Sequence, residues 1–306
     1  MIREQQREMP SSSTGNLTLI FQHIPKTAGT TLSYIVTSHY NEGKIYHVRN
    51  LQQMRGPAYS RDFGSLDDFK NLPADERNRF HLILGHMPFG IHEYVENPFC
   101  YITFIRDPVS RVISQYGQHK RMLQVGELEG SPISLETFLE TKPEVLHNHQ
   151  TRFLSGWDFT SHTPDECYEK ALQNIDAHCS LVGVVERFDE SLLLLSKMFR
   201  WRRVTYFKRN IGTHRPPDDV IDSTTIEKIR SANHLDTRLH LYASRLLDEK
   251  IKAQGDGFEQ DLKTLKRKLA LYKKFRRASN LVSRIAPGII RKLRSHFITT
   301  DGPLGK

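Results

Sequence analysis

The chain has 306 residues, 38% hydrophobic and 26% charged, with a formal net charge of +9. Those are the proportions of a soluble globular protein with room for one large or two modest domains. No apolar run approaches the ~18–20 residues of a membrane-spanning helix. The charge is unevenly spread: residues 261–306 hold thirteen Lys/Arg against Asp261 and Asp301, a net of +11, which leaves residues 1–260 at −2. A near-neutral body gives no argument for nucleic-acid binding.

Residues 1–16 are polar and Ser-rich with no apolar h-region, and are expected to be a flexible leader. Leu17 to Phe21 reads as a buried parallel strand. The turn His23-Ile24-Pro25-Lys26-Thr27-Ala28-Gly29-Thr30-Thr31 follows, and then Leu32, Ile35 and Val36 recur at helical spacing. Strand, small-residue turn and helix suit an anion, because first-turn N–H groups converge on one point. Ala28 and Gly29 permit close backbone approach, Thr27, Thr30 and Thr31 add hydroxyls, and Lys26 adds charge. This is not a Walker A loop, which places its Lys directly before the terminal Ser/Thr. An ordinary β–α turn with a surface lysine stays open as the plainer reading.

Further strands are expected at Tyr46–Val48, Phe80–Leu84, Phe99–Ile105, Ser180–Val185 and Val204–Phe207. Helices are expected near 66–69, 74–79, from Pro108, near 135–139, 147–154, 164–177, 188–199, over 222–254 and from Asp261 to Ser283. His86 stands where a strand meets a glycine turn, the edge at which open α/β sheets bind ligands. Arg106 stands at another strand tip, and Ser114 lies two turns into the next helix, so the pair can clamp a second phosphate. Asp107 as a cap or ion-pair partner accounts for that strand end equally well. Cys100, Cys167 and Cys179 have no metal-ligand spacing and are read as buried reduced thiols of a cytosolic protein. The tail, with Leu262, Leu265, Leu269, Tyr272 and Phe275 among cations, is a docked helix, a membrane-surface helix or a nucleic-acid contact.

Two strings, HIPKTAGTTL and YITFIRDPVSRVISQY, together resemble the 5′-phosphosulfate and 3′-phosphate loops of sulfotransferases that use 3′-phosphoadenosine 5′-phosphosulfate (PAPS). The likeness is nearest to the branch of heparan sulfate 2-O- and 6-O-sulfotransferases and their bacterial relatives. Gly85-His86-Met87, NHQTRFLSG at 148–156, LVGVVERFDESL at 181–192 and HLDTRLHLY at 234–242 add to it, over about residues 17–250. The resemblance implies that Lys26 neutralises the oxygen bridging sulfate and phosphate, with Thr27 to Thr31 on the 5′-phosphate. It implies that Arg106 and Ser114 hold the 3′-phosphate, with Thr213 and Arg215 on a later cofactor loop. His86 is the expected general base, with His92 and Glu93 in reserve; a structural role for His86, bonding a strand-end carbonyl, stays open. His92, Gln150 and Arg152 are expected on the acceptor side, and no metal is implied.

The expected fold is α/β: a P-loop-like three-layer arrangement with a central parallel sheet flanked by helices, plus a basic helical tail. The expected division is a leader (1–16), a sulfotransferase domain (17–257) and the tail (258–306), which contacts a membrane surface or a partner helix. The expected activity is transfer of the PAPS sulfuryl group to a hydroxyl of a saccharide or glycolipid by a bacterial-type enzyme of the cytoplasm. The rivals are a P-loop-like kinase, for which no Walker Lys-Ser/Thr is seen, and an inactive nucleotide-binding or membrane-associated scaffold.

Overall fold

The structure, a computed structural model, describes residues 17–48, 63–128, 130–142, 147–202, 204–206 and 221–285. Among them, β1 (Thr18–Gln22), β2 (Ile45–Val48), β3 (Phe63–Gly64), β4 (Leu82–Gly85), β5 (Phe99–Ile105) and β6 (Cys179–Val184) form one sheet. Its order is β3-β2-β4-β1-β5-β6, with every neighbour parallel. All five residues of β1 are buried, as a central strand covered on both faces requires. Ile20 pairs in register with Ile83 on one side and Tyr101 on the other.

The helices are α1 (Gly29–Thr37), α2 (Leu66–Asn71), α3 (Ala74–Asn78), α4 (Pro108–Gln124), α5 (Leu135–Thr141) and α6 (His149–Ser155). They continue with α7 (Pro164–His178), α8 (Phe188–Met198), α9 (Ser223–Ala232), α10 (His234–Lys252) and α11 (Gly257–Ile285). Local chemistry sets their starts. Asp107 caps α4 by accepting the Ser110 N–H at 2.8 Å, with Pro108 in the first turn. Thr163 and Glu166 form a reciprocal capping box on α7.

Ile20, Ile83 and Tyr101 pack with Tyr46, Phe69, Phe80 and Met87 on one face of the sheet. Leu19 and Phe21 alternate to the opposite face and are fully buried there, so helices cover both sides in three layers. A second cluster joins Val112, Ile113 and Tyr116 of α4 to Phe138 of α5 and Ile229 of α9.

The expected strand at Val204–Phe207 is not formed: 204–206 carry no regular structure, and 207 lies outside the described residues. The sheet order ends at β6, with no strand paired beyond it among the described residues. The chain divides into two compact units, Met1–Val204 with Lys208–Gly255, and Thr205–Phe207 with Asp256–Lys306. In the second unit, Phe258, Leu262 and Leu265 of α11 are buried, whereas Leu271 and Phe275 are exposed.

Candidate active site

Because the strands are parallel, the residues that follow β1, β4, β5 and β6 all emerge at one edge of the sheet. The β1–α1 turn is tight. Lys26 and Ala28 both adopt left-handed backbone, at φ 72° and 63°. Neither is glycine, so each conformation costs about 1–2 kcal/mol, strain of the kind held at functional sites. The Thr27 hydroxyl donates to the Ile24 carbonyl at 2.8 Å, and the residue is buried. Thr27 therefore stabilises the turn, and its hydroxyl is already committed. The Thr31 and Leu32 amides close on the Ala28 carbonyl, which leaves the first-turn amides of Gly29 and Thr30 without a carbonyl of α1 to bond.

Gly29 is required by a neighbour rather than by backbone conformation. A Cβ there would lie 1.6 Å from Nε2 of His23. The His23 ring fills the space over the start of α1, 4.1 Å between centroids from the His86 ring and 5.6 Å from Phe21. Burial, then the neighbouring His86 and Lys26, hold His23 well below its ordinary pKa, so it is neutral at pH 7.

Lys26 donates from Nζ to Oε1 of Gln118 at 2.8 Å. Burial, followed by repulsion from Arg106 and Arg121, lowers its pKa to about 8. Gathering three cations beside one strained turn is unfavourable in isolation and is offset when an anion arrives. Arg106, at the tip of β5, donates from Nη1 to the Lys26 carbonyl at 3.1 Å. The two cationic positions that the sequence placed on separate strand tips are thus joined directly.

His86, next to Gly85 at the tip of β4, is exposed to solvent yet surrounded closely enough that burial, and then Lys26, lower its pKa. Its Nδ1 lies 2.8 Å from the His23 carbonyl. A carbonyl only accepts, so Nδ1 carries the proton, and Nε2 of the neutral ring holds a lone pair. Gly85 has φ +154° and room for no Cβ, which would meet the Val48 carbonyl at 2.0 Å.

Ser114 is half-buried on α4, one turn before Gln118 on the same face. Gln118, Arg121 and His23 are contributors that sequence reasoning missed. The i, i+4, i+7 spacing of Ser114, Gln118 and Arg121 was the available signal for the first two.

The other expected residues have partners of their own. His92 belongs to an aromatic cluster, with ring centroids 4.9 Å from Phe99 and 4.6 Å from His178, and its Nδ1 is 3.0 Å from the Tyr101 hydroxyl. Phe99 opens β5 and Arg106 follows its last residue, a separation of seven residues at ~3.3 Å each. His92, expected on the acceptor side and as a reserve base, therefore sits with the other reserve base, Glu93, toward the far edge of the sheet and is not brought beside Arg106. Gln150, expected on the acceptor side, is placed against the β5 tip instead. It is fully buried, and its amide is spent on the Arg106 backbone, accepting from the N–H at 2.9 Å and donating to the carbonyl at 2.8 Å. Arg152 donates from Nε to the His147 carbonyl at 2.9 Å, with its guanidinium 5.6 Å from the Phe159 ring centroid. Thr213 and Arg215 lie outside the described residues. Among the described residues, no group of three or more His, Cys, Asp or Glu is placed to hold a metal ion.

The family described as galactose-3-O-sulfotransferase matches residues 5–277. The chain belongs to that family. Galactose-3-O-sulfotransferase 2 of Sus scrofa is 26% identical over 193 residues, 58% of this chain and 47% of its own. The Homo sapiens protein of the same name is 25% identical over 194 residues, 58% and 48%. Galactosylceramide sulfotransferase of Mus musculus is 25% identical over 255 residues, 78% and 58%. The chain spans about half the length of the curated relatives it matches. The wider resemblance to sulfotransferases stands, while the match is to the galactose-3-O family rather than the 2-O and 6-O branch. The matched relatives are galactose and galactosylceramide sulfotransferases of animals, and against them the expected cytoplasmic placement does not stand. No helix among the described residues is long and apolar enough to cross a membrane.

Proposed function

We propose that this galactose-3-O-sulfotransferase family member transfers the sulfuryl group of PAPS to a galactose hydroxyl of a saccharide or glycolipid. The observation that carries the reading is the Arg106 guanidinium bonded to the Lys26 carbonyl at 3.1 Å, with His86 near enough to Lys26 for that charge to lower its pKa. The donor set fits a doubly phosphorylated sulfate carrier: cationic side chains, first-turn amides and hydroxyls, with burial and repulsion already lowering the Lys26 pKa. The carrier supplies an activated sulfuryl group and a phosphate leaving group.

Lys26 stabilises negative charge as it builds on the bridging oxygen, while the amides of Gly29 and Thr30 and the hydroxyls of Thr30 and Thr31 hold the 5′-phosphate. Arg106 and Ser114 take the 3′-phosphate. His86 Nε2 accepts the acceptor's proton, and the His23 carbonyl fixes the tautomer that leaves Nε2 open. As in phosphoryl transfer, positioning and electrostatics supply most of the rate.

Incubation with PAPS labelled in its sulfur and a galactose-terminated acceptor tests the proposal. Label is expected on the saccharide. Adenosine 3′,5′-bisphosphate at 100 times its Kd is expected to stabilise the protein by about 2.7 kcal/mol, with a smaller effect from ATP–Mg. Greater stabilisation by ATP–Mg, with no label transferred, would instead favour a kinase-like nucleotide site.

A further inference from the structure

Arg106 is not held by its own strand alone. The Gln150 amide bonds both the N–H and the carbonyl of Arg106, as a neighbouring strand would, although it comes from the first turn of a helix 44 residues away. That helix, α6, is pinned at its N-terminus by Asp236, which is fully buried. Asp236 accepts from the Gln150 N–H at 3.0 Å, the Thr151 N–H at 2.8 Å and the Thr151 hydroxyl at 2.8 Å. The arrangement is reciprocal: Asn148, just before α6, accepts the Leu235 and Asp236 amides at 3.0 and 3.1 Å. Each helix thus caps the other. Arg111, on α4 one turn past the Arg106 tip and itself fully buried, is coupled electrostatically to the Asp236 carboxylate. A buried carboxylate with three donors and a cation in reach is a rigid anchor.

We propose that Gln150 is a positioning residue that sets the Arg106 backbone for the 3′-phosphate, and that Asp236 acts through it by fixing the start of α6. This rests on the proposed role of Arg106 in holding the donor. A residue that merely held α6 to the body would affect folding alone, whereas one that aims Arg106 affects donor binding selectively.

The test uses the full chain and calorimetric titration with adenosine 3′,5′-bisphosphate, alongside donor KM and kcat. Gln150→Met keeps the buried volume and removes both bonds. It is expected to raise the bisphosphate Kd and donor KM by about tenfold while leaving kcat within about twofold. Asp236→Asn is expected to shift Kd and KM in the same direction and to lower Tm. Asn174→Ala is the control, because Asn174 bonds the Leu154 and Ser155 carbonyls, at the other end of α6, at 2.8 and 3.1 Å. It is expected to lower Tm without moving the bisphosphate Kd. Should Gln150→Met fail to fold, Gln150→Ala is measured in its place.

A bisphosphate Kd in the Gln150 variant no weaker than in Asn174→Ala, or a loss confined to kcat, overturns the inference while leaving the donor site intact. Wild-type protein that does not bind the bisphosphate overturns both the site and the inference.

Discussion

Lys26→Met is expected to lower turnover about 10²- to 10³-fold and, at pH 7, to raise Tm. Both halves follow from the same geometry. Lys26 has a folded-state pKa of about 8 against an ordinary 10.5, because burial, Arg106 and Arg121 all disfavour its charge. Its depressed value means that between about pH 8 and 10.5 the unfolded chain binds more protons than the folded one. The stability term of this group therefore rises with pH through that window, and below pH 8 the full penalty of the buried ammonium is present. Removing the charge while keeping the aliphatic stem relieves that penalty and also removes what the donor needs. Bisphosphate affinity is expected to hold between pH 6 and 7.5 and to weaken above pH 8, where the ammonium is lost. In Lys26→Met that alkaline weakening is expected to vanish. Thermal melts and titrations across the range check both statements, and a destabilised variant at pH 7 would contradict them.

His86→Ala is expected to lose turnover by about 10²-fold or more while retaining bisphosphate binding. Burial and Lys26 place the His86 pKa below 6.5, so the ring is neutral at pH 7 and is lost as a base only as pH falls through the lowered value. Wild-type kcat is expected to show an acid limb below pH 6.5, with a plateau above it, and the residual rate of the variant no such limb. Reduced bisphosphate affinity with unchanged kcat would assign His86 to donor binding instead. His23 cannot replace it. Its ring is packed over Gly29, and its pKa is lowered further.

Much of this was legible in the amino-acid order because the sheet is parallel. Runs such as Leu17–Phe21 and Phe99–Ile105 mark buried strands, and the residue after each strand falls at the ligand-binding edge. Lys26, His86 and Arg106 were singled out as candidates that way. What escaped depends on contacts distant in the chain. His92 shares a short segment with His86, yet packs against Phe99 at the far end of β5. Gln150 sits in a polar helical string that reads as a cleft wall, and only tertiary folding turns its amide onto Arg106. Val204–Tyr206 has the composition of a strand but pairs with none among the described residues. Local periodicity reports which residues are apolar, not which distant backbone they will meet.

The most direct measurement of the central claim is calorimetric titration of wild type and Arg106→Ala with adenosine 3′,5′-bisphosphate and with adenosine 5′-monophosphate. If the β1 turn and the β5 tip grip opposite ends of one molecule, wild type prefers the bisphosphate by about 10- to 100-fold. Arg106→Ala then loses that preference and keeps most of its affinity for the monophosphate. Equal affinity of wild type for the two ligands, or a preference that survives in Arg106→Ala, would contradict the account.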